Sequence, residues 1–165
     1  MKAAPLSPIG PEQAALITHQ VSIIVGSRDA RYRPHLMRAV GCRLSDDRRR
    51  ITLLMPQGSS REVLNDLREN GQIAVVFSEP SSNRTLQLKG GDAVVASCEP
   101  GDAALAERYL AGFVDEIGQL GFAAEVAHTL LGHDADLVAV QFTVTAAFDQ
   151  TPGPSAGEPL AAPAG

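Results

Sequence analysis

The stretch ITLLMPQGSSREVLNDLRENG, residues 51–71, decides how this chain is interpreted. An apolar run ends at Met55, a Pro/Gly/Ser turn follows, and a helical pattern begins at Arg61 and is closed by Gly71. The free backbone N–H groups at the start of a helix bind anions, and nearby hydroxyls and a guanidinium add further donors. The stretch therefore predicts a strand, a turn and a helix, with either a phosphate site or an ordinary cap at the turn.

The capped-helix alternative depends on Ser59 and Glu62. Their spacing is that of a capping box, in which the two side chains satisfy the free N–H groups of the helix themselves. By itself this spacing favours the cap over a ligand site. Phosphate binding by Ser59, Ser60 and Arg61 is predicted only in combination with other residues.

A second arginine, Arg38, lies in the predicted strand 34–44. The apolar residues on its face are Leu36, Val40, Cys42 and Leu44. A guanidinium on such a face is costly to desolvate alone, so it needs an anion or water. Two partners fit: a carboxylate at a subunit interface, or a ligand phosphate shared with Arg61. Gly41 on the opposite face leaves room for a ligand to approach the backbone.

Elsewhere the apolar period is mostly two, which predicts strands. Six strands are predicted, at about residues 21–26, 34–44, 50–55, 72–78, 85–96 and 137–145. Helices are predicted at about residues 12–18, 61–70, 102–120 and 123–131. Short strands in hairpins with an inserted helix favour an α+β fold, mainly β, built as a six-stranded antiparallel barrel.

The length of 165 residues fits one domain, predicted at residues 1–150, with an extended N-terminal arm at 1–11. The Pro/Ala/Gly-rich tail, residues 151–165, is of low complexity and cannot form a core of its own.

Composition excludes several classes of protein. A net charge of −5 argues against nucleic-acid binding. Cys42 and Cys98 lack any metal-ligand spacing and are typical of reduced thiols in the cytoplasm. The histidines lack zinc-site spacing, so no metal is expected. Without a charged leader or a long apolar run, neither secretion nor a membrane span is expected.

The order of the motifs resembles that of the pyridoxamine 5′-phosphate oxidase-like family, whose fold is the FMN-binding split β-barrel. The resemblance covers residues 22–96. It rests on IIVGSRD (23–29), RPH (33–35), ITLLM (51–55), SREVLNDLREN (60–70), IAVVF (73–77) and RTLQLKG (84–90).

The resemblance implies a homodimer with two flavin sites along the subunit interface, and FMN as the cofactor. Ser59, Ser60 and Arg61 would hold the phosphate together with Arg38. The flavin ring would lie beside residues 37–41, with a polar contact from Thr85 or Gln87. The residues implied to bind FMN are Met37, Arg38, Ala39, Val40, Gly41, Met55, Ser59, Ser60, Arg61, Thr85 and Gln87.

Two departures separate the chain from the oxidases that give the family its name. It lacks their C-terminal Arg-x-His segment, and Cys42 or Arg43 stands where they have a lysine near the flavin. We therefore expect a flavin-dependent oxidoreductase with another small-molecule substrate and an electron donor such as NAD(P)H. No catalytic residue is assigned, and His35 is the candidate acid or base.

Two alternatives stay open. One is a non-catalytic module that binds flavin, deazaflavin or haem on the same barrel. The other is a scaffold without a cofactor, in which Arg38 and Arg61 form ion pairs at an interface.

Overall fold

The computed structural model describes residues 9–19, 21–132 and 136–160. Its helices are α1 (Pro11–Thr18), α2 (Arg61–Asn70), α3 (Asp102–Gly118) and α4 (Ala124–Leu131). Its strands are β1 (Ser22–Arg28), β2 (Pro34–Ala39), β3 (Gly41–Leu44), β4 (Arg50–Pro56), β5 (Ile73–Ser78), β6 (Thr85–Gly90), β7 (Val94–Ser97), β8 (Leu137–Thr143) and β9 (Ala146–Asp149).

The strands form two antiparallel sheets and not one closed barrel. The order is β2-β1-β5-β6-β9 in the five-stranded sheet and β3-β4-β8-β7 in the four-stranded sheet. Only Val40 separates β2 from β3, and its N–H donates to Leu54 O at 2.8 Å. The chain therefore passes from one sheet to the other at this residue. The α+β class is confirmed.

The six-strand prediction was wrong, because the described residues contain nine strands. The predicted strand 34–44 divides at Val40, where the chain changes sheet. The predicted strand 85–96 divides at residues 91–93, because β6 and β7 belong to different sheets. The third strand beyond the predicted six is β9, which pairs with β6.

The core lies between the two sheets. In β1, burial alternates along the strand, so that Ile23 and Val25 point inward, and Val75 and Phe77 of β5 do the same. This alternation is the period of two that the sequence shows. Helix α2 packs Leu64 and other apolar residues into the same core.

Helices α3 and α4 cover the four-stranded sheet through a second apolar cluster. Phe113 and Ile117 of α3 and Leu131 of α4 meet Leu54 of β4 there. Tyr109, on the same stripe of α3, is buried in the main core, where its hydroxyl donates to Ile17 O at 2.8 Å. The apolar side of α3 therefore packs against both clusters.

The described part of the tail turns back along β9. Leu160 N donates to Ala147 O at 2.9 Å, and Phe148 forms a bridge with Pro159. Residues 161–165 of the tail and residues 1–8 of the predicted arm lie outside the described residues.

Among the helices of the described segments, none is both long and apolar enough to cross a membrane.

Candidate functional site

The outer face of the five-stranded sheet is the surface that turns away from the core. One row of residues crosses all five strands there in direct register: Arg38, Ile24, Val76, Gln87 and Phe148. Side chains alternate along a strand, and neighbouring strands lie about 4.8 Å apart. The row therefore places two of the predicted flavin residues, Arg38 and Gln87, on one surface with three strand spacings between them.

Arg38 is half-buried on this face. Its Nη1 donates to Ser22 Oγ at 2.6 Å, and burial lowers the pKa of the guanidinium from its ordinary value. Within the residues that the structure describes, Arg38 forms no ion pair with a carboxylate. A partly desolvated cation in this state favours an anion in its vicinity.

The start of α2 differs from the predicted cap. The N-cap residue is Ser60 and not Ser59, and no side-chain hydrogen bond caps the helix. The expected capping box between Ser59 and Glu62 is therefore absent from this helix start. Ser60 N–H donates to Pro56 O at 3.2 Å, so the turn extends to Ser60 and the helix begins one residue later than the spacing of Ser59 and Glu62 predicts.

Ser60 carries the unusual polar atom of this turn. The residue is 1% exposed, and its buried Oγ has no hydrogen-bond partner among the described residues. A buried hydroxyl without a partner costs about 1–3 kcal/mol. Ser60 Oγ lies at the start of α2, where the first N–H groups of the helix also lack helical partners. A ligand oxygen bound there would accept hydrogen bonds from the hydroxyl and from these N–H groups.

Ser59 and Arg61 flank Ser60 and are exposed. In the described part of the chain, the Arg61 side chain forms neither an ion pair nor a hydrogen bond with the protein. The start of α2 therefore combines a free guanidinium, a free buried hydroxyl and the positive end of the helix dipole.

Arg38 and α2 lie on opposite faces of β2. The helix contacts the face that carries His35, and Arg38 alternates to the other face. β2 is an edge strand of its sheet. Arg38 and the start of α2 are therefore separated by β2, and a ligand that contacts both would have to pass its free edge.

His35 belongs to a cluster that joins α2 to two strands. His35 Nδ1 lies 2.8 Å from Asp66 Oδ2, and Ser27 Oγ donates to the same oxygen at 2.7 Å. Asp66 is buried, whereas the His35 side chain is 30% exposed. Because Nδ1 contacts the carboxylate, Nε2 is the ring nitrogen that stays available. The cluster fixes α2 against the strands that carry the rest of the site.

The residues predicted to lie beside the flavin ring are mostly buried. Ala39 and Met55 belong to the main core, and Met37 packs against it. Val40 is 3% exposed. A Cβ on Gly41 would lie 3.0 Å from Leu54 Cδ1, so packing against Leu54 accounts for this glycine. The side chains of these residues therefore pack mainly inside the protein.

Thr85 and Gln87 already have partners within the chain. Thr85 Oγ1 lies 3.0 Å from Ser78 Oγ, and Thr85 N–H donates to Thr151 Oγ1 at 3.0 Å. Gln150 Nε2 donates to Gln87 Oε1 at 3.3 Å. The tail therefore closes over the end of β6 that carries both residues.

Three contributors to this site were not predicted from the sequence. Ser22 supports Arg38, and Ser27 and Asp66 hold His35. Asp66 had one available signal, since a carboxylate between Val63, Leu64 and Leu67 lies on the apolar face of α2. The two serines carry no comparable signal.

Comparison with known proteins rests on structure alone. No family model matches the sequence, and no curated protein matches it significantly. Among solved structures, Group A Streptococcus HupZ is 18% identical, with a TM-score of 0.55 over 90% of this chain and 99% of that chain. A candidate pyridoxamine 5′-phosphate oxidase from Lactobacillus delbrueckii is 13% identical, with a TM-score of 0.54 over 90% and 99%.

A third similar structure is a pyridoxamine 5′-phosphate oxidase-related, FMN-binding protein from Nostoc punctiforme. It is 9% identical, with a TM-score of 0.50 over 89% of this chain and 87% of that one. The chain has the pyridoxamine 5′-phosphate oxidase-like fold. On this fold, the start of α2, the edge of β2 and the outer face of the five-stranded sheet make up the candidate site.

Proposed function

We propose that the chain binds FMN as a homodimer and acts as a flavin-dependent oxidoreductase on a small molecule other than pyridoxamine phosphate. The observation that carries the proposal is the buried, unpartnered Ser60 hydroxyl at the start of α2. It is supported by Arg38 and Arg61, for which the described residues supply no carboxylate. Similarity to FMN-binding proteins of the same fold points to the same ligand.

The phosphate of FMN fits these donors. Ser60 Oγ, the first N–H groups of α2 and the two guanidinium groups would each donate to phosphate oxygens. A hydrogen bond to a charged group contributes about 1.5–3 kcal/mol. The scaffold alternative, in which Arg38 and Arg61 form ion pairs at an interface, would need carboxylates from a second copy, because the described residues of this chain offer neither arginine one.

The flavin ring would lie on the outer face of the sheet, beside the backbone of residues 37–41. When bound, the flavin supplies hydride and electron transfer. The chain's own residues bind the phosphate, orient the ring through Gln87 and Thr85, and limit the access of water. His35 is the candidate for holding or moving a proton, at Nε2.

A second copy of the chain is the proposed cover of this face. Ile24 and Val76 are half-buried in the row that contains Arg38, and Leu36 in the next row is 70% exposed. Apolar side chains at this position are typical of a surface that packs against a partner. A two-fold dimer would bury the row and enclose two ligands symmetrically.

The absorbance spectrum of the purified protein tests this function. We expect flavin bands after incubation with FMN and removal of excess ligand, and their loss on addition of NAD(P)H or a chemical reductant. A protein that elutes without flavin after such incubation would overturn the proposal. Bound flavin that dithionite reduces but NAD(P)H does not would remove the proposed electron donor.

A binding module without turnover is the second candidate, with flavin, deazaflavin or haem as its ligand. The observation that favours haem is the His35–Asp66 contact, which leaves Nε2 available in the way that metal-binding histidines are usually held. A Soret band on addition of haem, lost in His35→Ala, would support this candidate over the flavin enzyme.

A further inference from the structure

A pocket of about 1000 Å³ opens on the same outer face, at the row of residues next to the one that contains Arg38. None of the residues predicted to bind FMN lines it. The residues that do are Gly26, Ser27, Arg28, Pro34, Leu36, Gln72, Ile73, Ala74, Lys89, Gly90, Gly91, Asp92, Thr143, Thr145 and Ala146. The pocket therefore adjoins the candidate flavin site on the same face of the sheet, but its lining contains none of the predicted FMN-binding residues.

The floor of the pocket is flat and apolar. A second row crosses the sheet in register here: Leu36, Gly26, Ala74, Lys89 and Ala146. Its middle positions carry at most a methyl group, apart from Lys89. A Cβ on Gly26 would lie 3.3 Å from Leu36 Cδ2 and 3.6 Å from Ala74 O. Leu36 therefore lies beside Gly26, and together with Ala74 they form an apolar surface on which a flat ring can lie.

Two cations, Arg28 and Lys89, line the pocket without carboxylate partners among the described residues. The Arg28 guanidinium lies over the Tyr32 ring, 4.4 Å from its centroid, and Lys89 Nζ lies 4.9 Å from that of Phe148. Stacking on an aromatic face holds each cation in place and leaves donors for another group.

The pocket lining has one carboxylate, Asp92. Its Oδ1 accepts a hydrogen bond from Thr143 N at 2.8 Å. With two cations against one anion, the lining is positive in a chain whose net charge is −5. Such a local reversal of charge raises the concentration of anions at the pocket.

We propose that this pocket binds a flat aromatic anion, with the ring on the floor of small residues and the anionic group against Arg28 and Lys89. The proposal does not depend on flavin binding, because Arg28, Lys89, Gly26 and Ala74 are not among the residues predicted to bind FMN. An aromatic anion fits better than a neutral apolar ligand because neither cation has a carboxylate partner among the residues that the structure describes. It also fits better than a small inorganic anion, since most of the lining is apolar.

Two fluorescent probes test the proposal on the full chain: anilinonaphthalene sulfonate, and phenylnaphthylamine, which has the same rings without the sulfonate. We expect Lys89→Gln and Arg28→Gln each to weaken binding of the sulfonate about tenfold, which is the loss of one charge-assisted contact. The neutral probe should bind these variants as it binds the natural chain. Ala74→Phe places a ring on the floor of the pocket and should weaken the binding of both probes.

Arg31→Gln is the matched control, because Arg31 is an exposed cation outside the pocket lining. It should leave both probes unaffected. Melting curves show whether each variant is folded. If one of the two charge variants fails to fold, the other provides the test. The proposal is overturned if the natural chain does not bind the sulfonate, or if Arg38→Gln abolishes binding while the pocket variants do not. Equal loss of both probes in the charge variants also overturns it.

Discussion

Arg38 Nη1 donates a hydrogen bond of 2.6 Å to Ser22 Oγ on the neighbouring strand, and this hydroxyl is its partner in place of a carboxylate. The hydrogen bond orients the guanidinium without neutralising it. Arg38 and the Ser60 hydroxyl are thus two hydrogen-bond donors for which the described residues supply no anionic partner.

The first prediction concerns Arg38. Arg38→Gln should weaken FMN binding about tenfold to a hundredfold, because it removes one charged donor to the phosphate. Titration with FMN, followed by quenching of flavin fluorescence, measures the change. Arg31→Gln is the charge-matched control and should bind FMN normally. Equal affinity in both variants would exclude Arg38 from the site.

The second prediction concerns Ser60, where stability and binding should separate. Ser60→Ala removes a buried hydroxyl without a partner, so the free energy of unfolding without ligand should stay the same or rise. FMN affinity should fall in the same variant, because the phosphate loses a donor. Denaturant unfolding and FMN titration provide the two readouts.

Ser59→Ala is the control for Ser60, since the neighbouring hydroxyl is exposed. A Ser60→Ala protein that loses more than about 1 kcal/mol of stability without ligand would show that the hydroxyl caps the helix after all.

Much of the fold follows from local patterns in the sequence. The apolar period predicts the helices and most strands to within a few residues. The end of α2 is also predicted, because Gly71 adopts the left-handed conformation of a glycine C-cap, with φ of 67°. The division at Val40 was missed because it depends on Leu54, which accepts the Val40 N–H from another strand. Arg38 consequently shares its face with Leu36 but not with the residues of β3.

The candidate site was less accessible to prediction. Asp66 is 31 positions from His35 and 39 positions from Ser27 in the sequence, so no local spacing predicts the contacts that position His35. The cap at Ser60 was misplaced by one residue, because the bond from Ser60 N–H to Pro56 O extends the turn. Strand β9 was missed because its short segment precedes the low-complexity tail and is defined by pairing with β6.

The third prediction concerns Asp66. Asp66→Ala should lower the free energy of unfolding by about 2 kcal/mol, because it leaves Ser27 Oγ and His35 Nδ1 without their acceptor. Chemical denaturation measures the loss. Glu69→Ala on the exposed face of α2 is the control and should change stability by less than about 0.5 kcal/mol. Similar values for the two variants would rule out a structural role for the cluster.

The fourth prediction is a pH dependence of stability at Cys42. Burial raises the pKa of this thiol from 9.0 to about 12. Above pH 9 the unfolded chain loses the proton while the folded chain keeps it, so the unfolded state gains stability as pH rises. The free energy of unfolding should therefore fall between pH 9 and 10, with a slope approaching about 1.4 kcal/mol per pH unit.

Cys42→Ala isolates this effect, because other groups contribute equally to both proteins. The variant should show a shallower decline over the same interval, whatever its stability at neutral pH. Parallel curves would mean that the thiol ionises in the folded protein as it does in the unfolded chain.

The central claim is that the start of α2 and Arg38 bind the phosphate of FMN, and a comparison of FMN with riboflavin tests it most directly. The two ligands share the flavin ring, and only FMN carries the phosphate. Titration of the natural chain should give an affinity for FMN that is about a hundredfold or more above that for riboflavin. Equal affinities, or no binding of either ligand, would contradict the account.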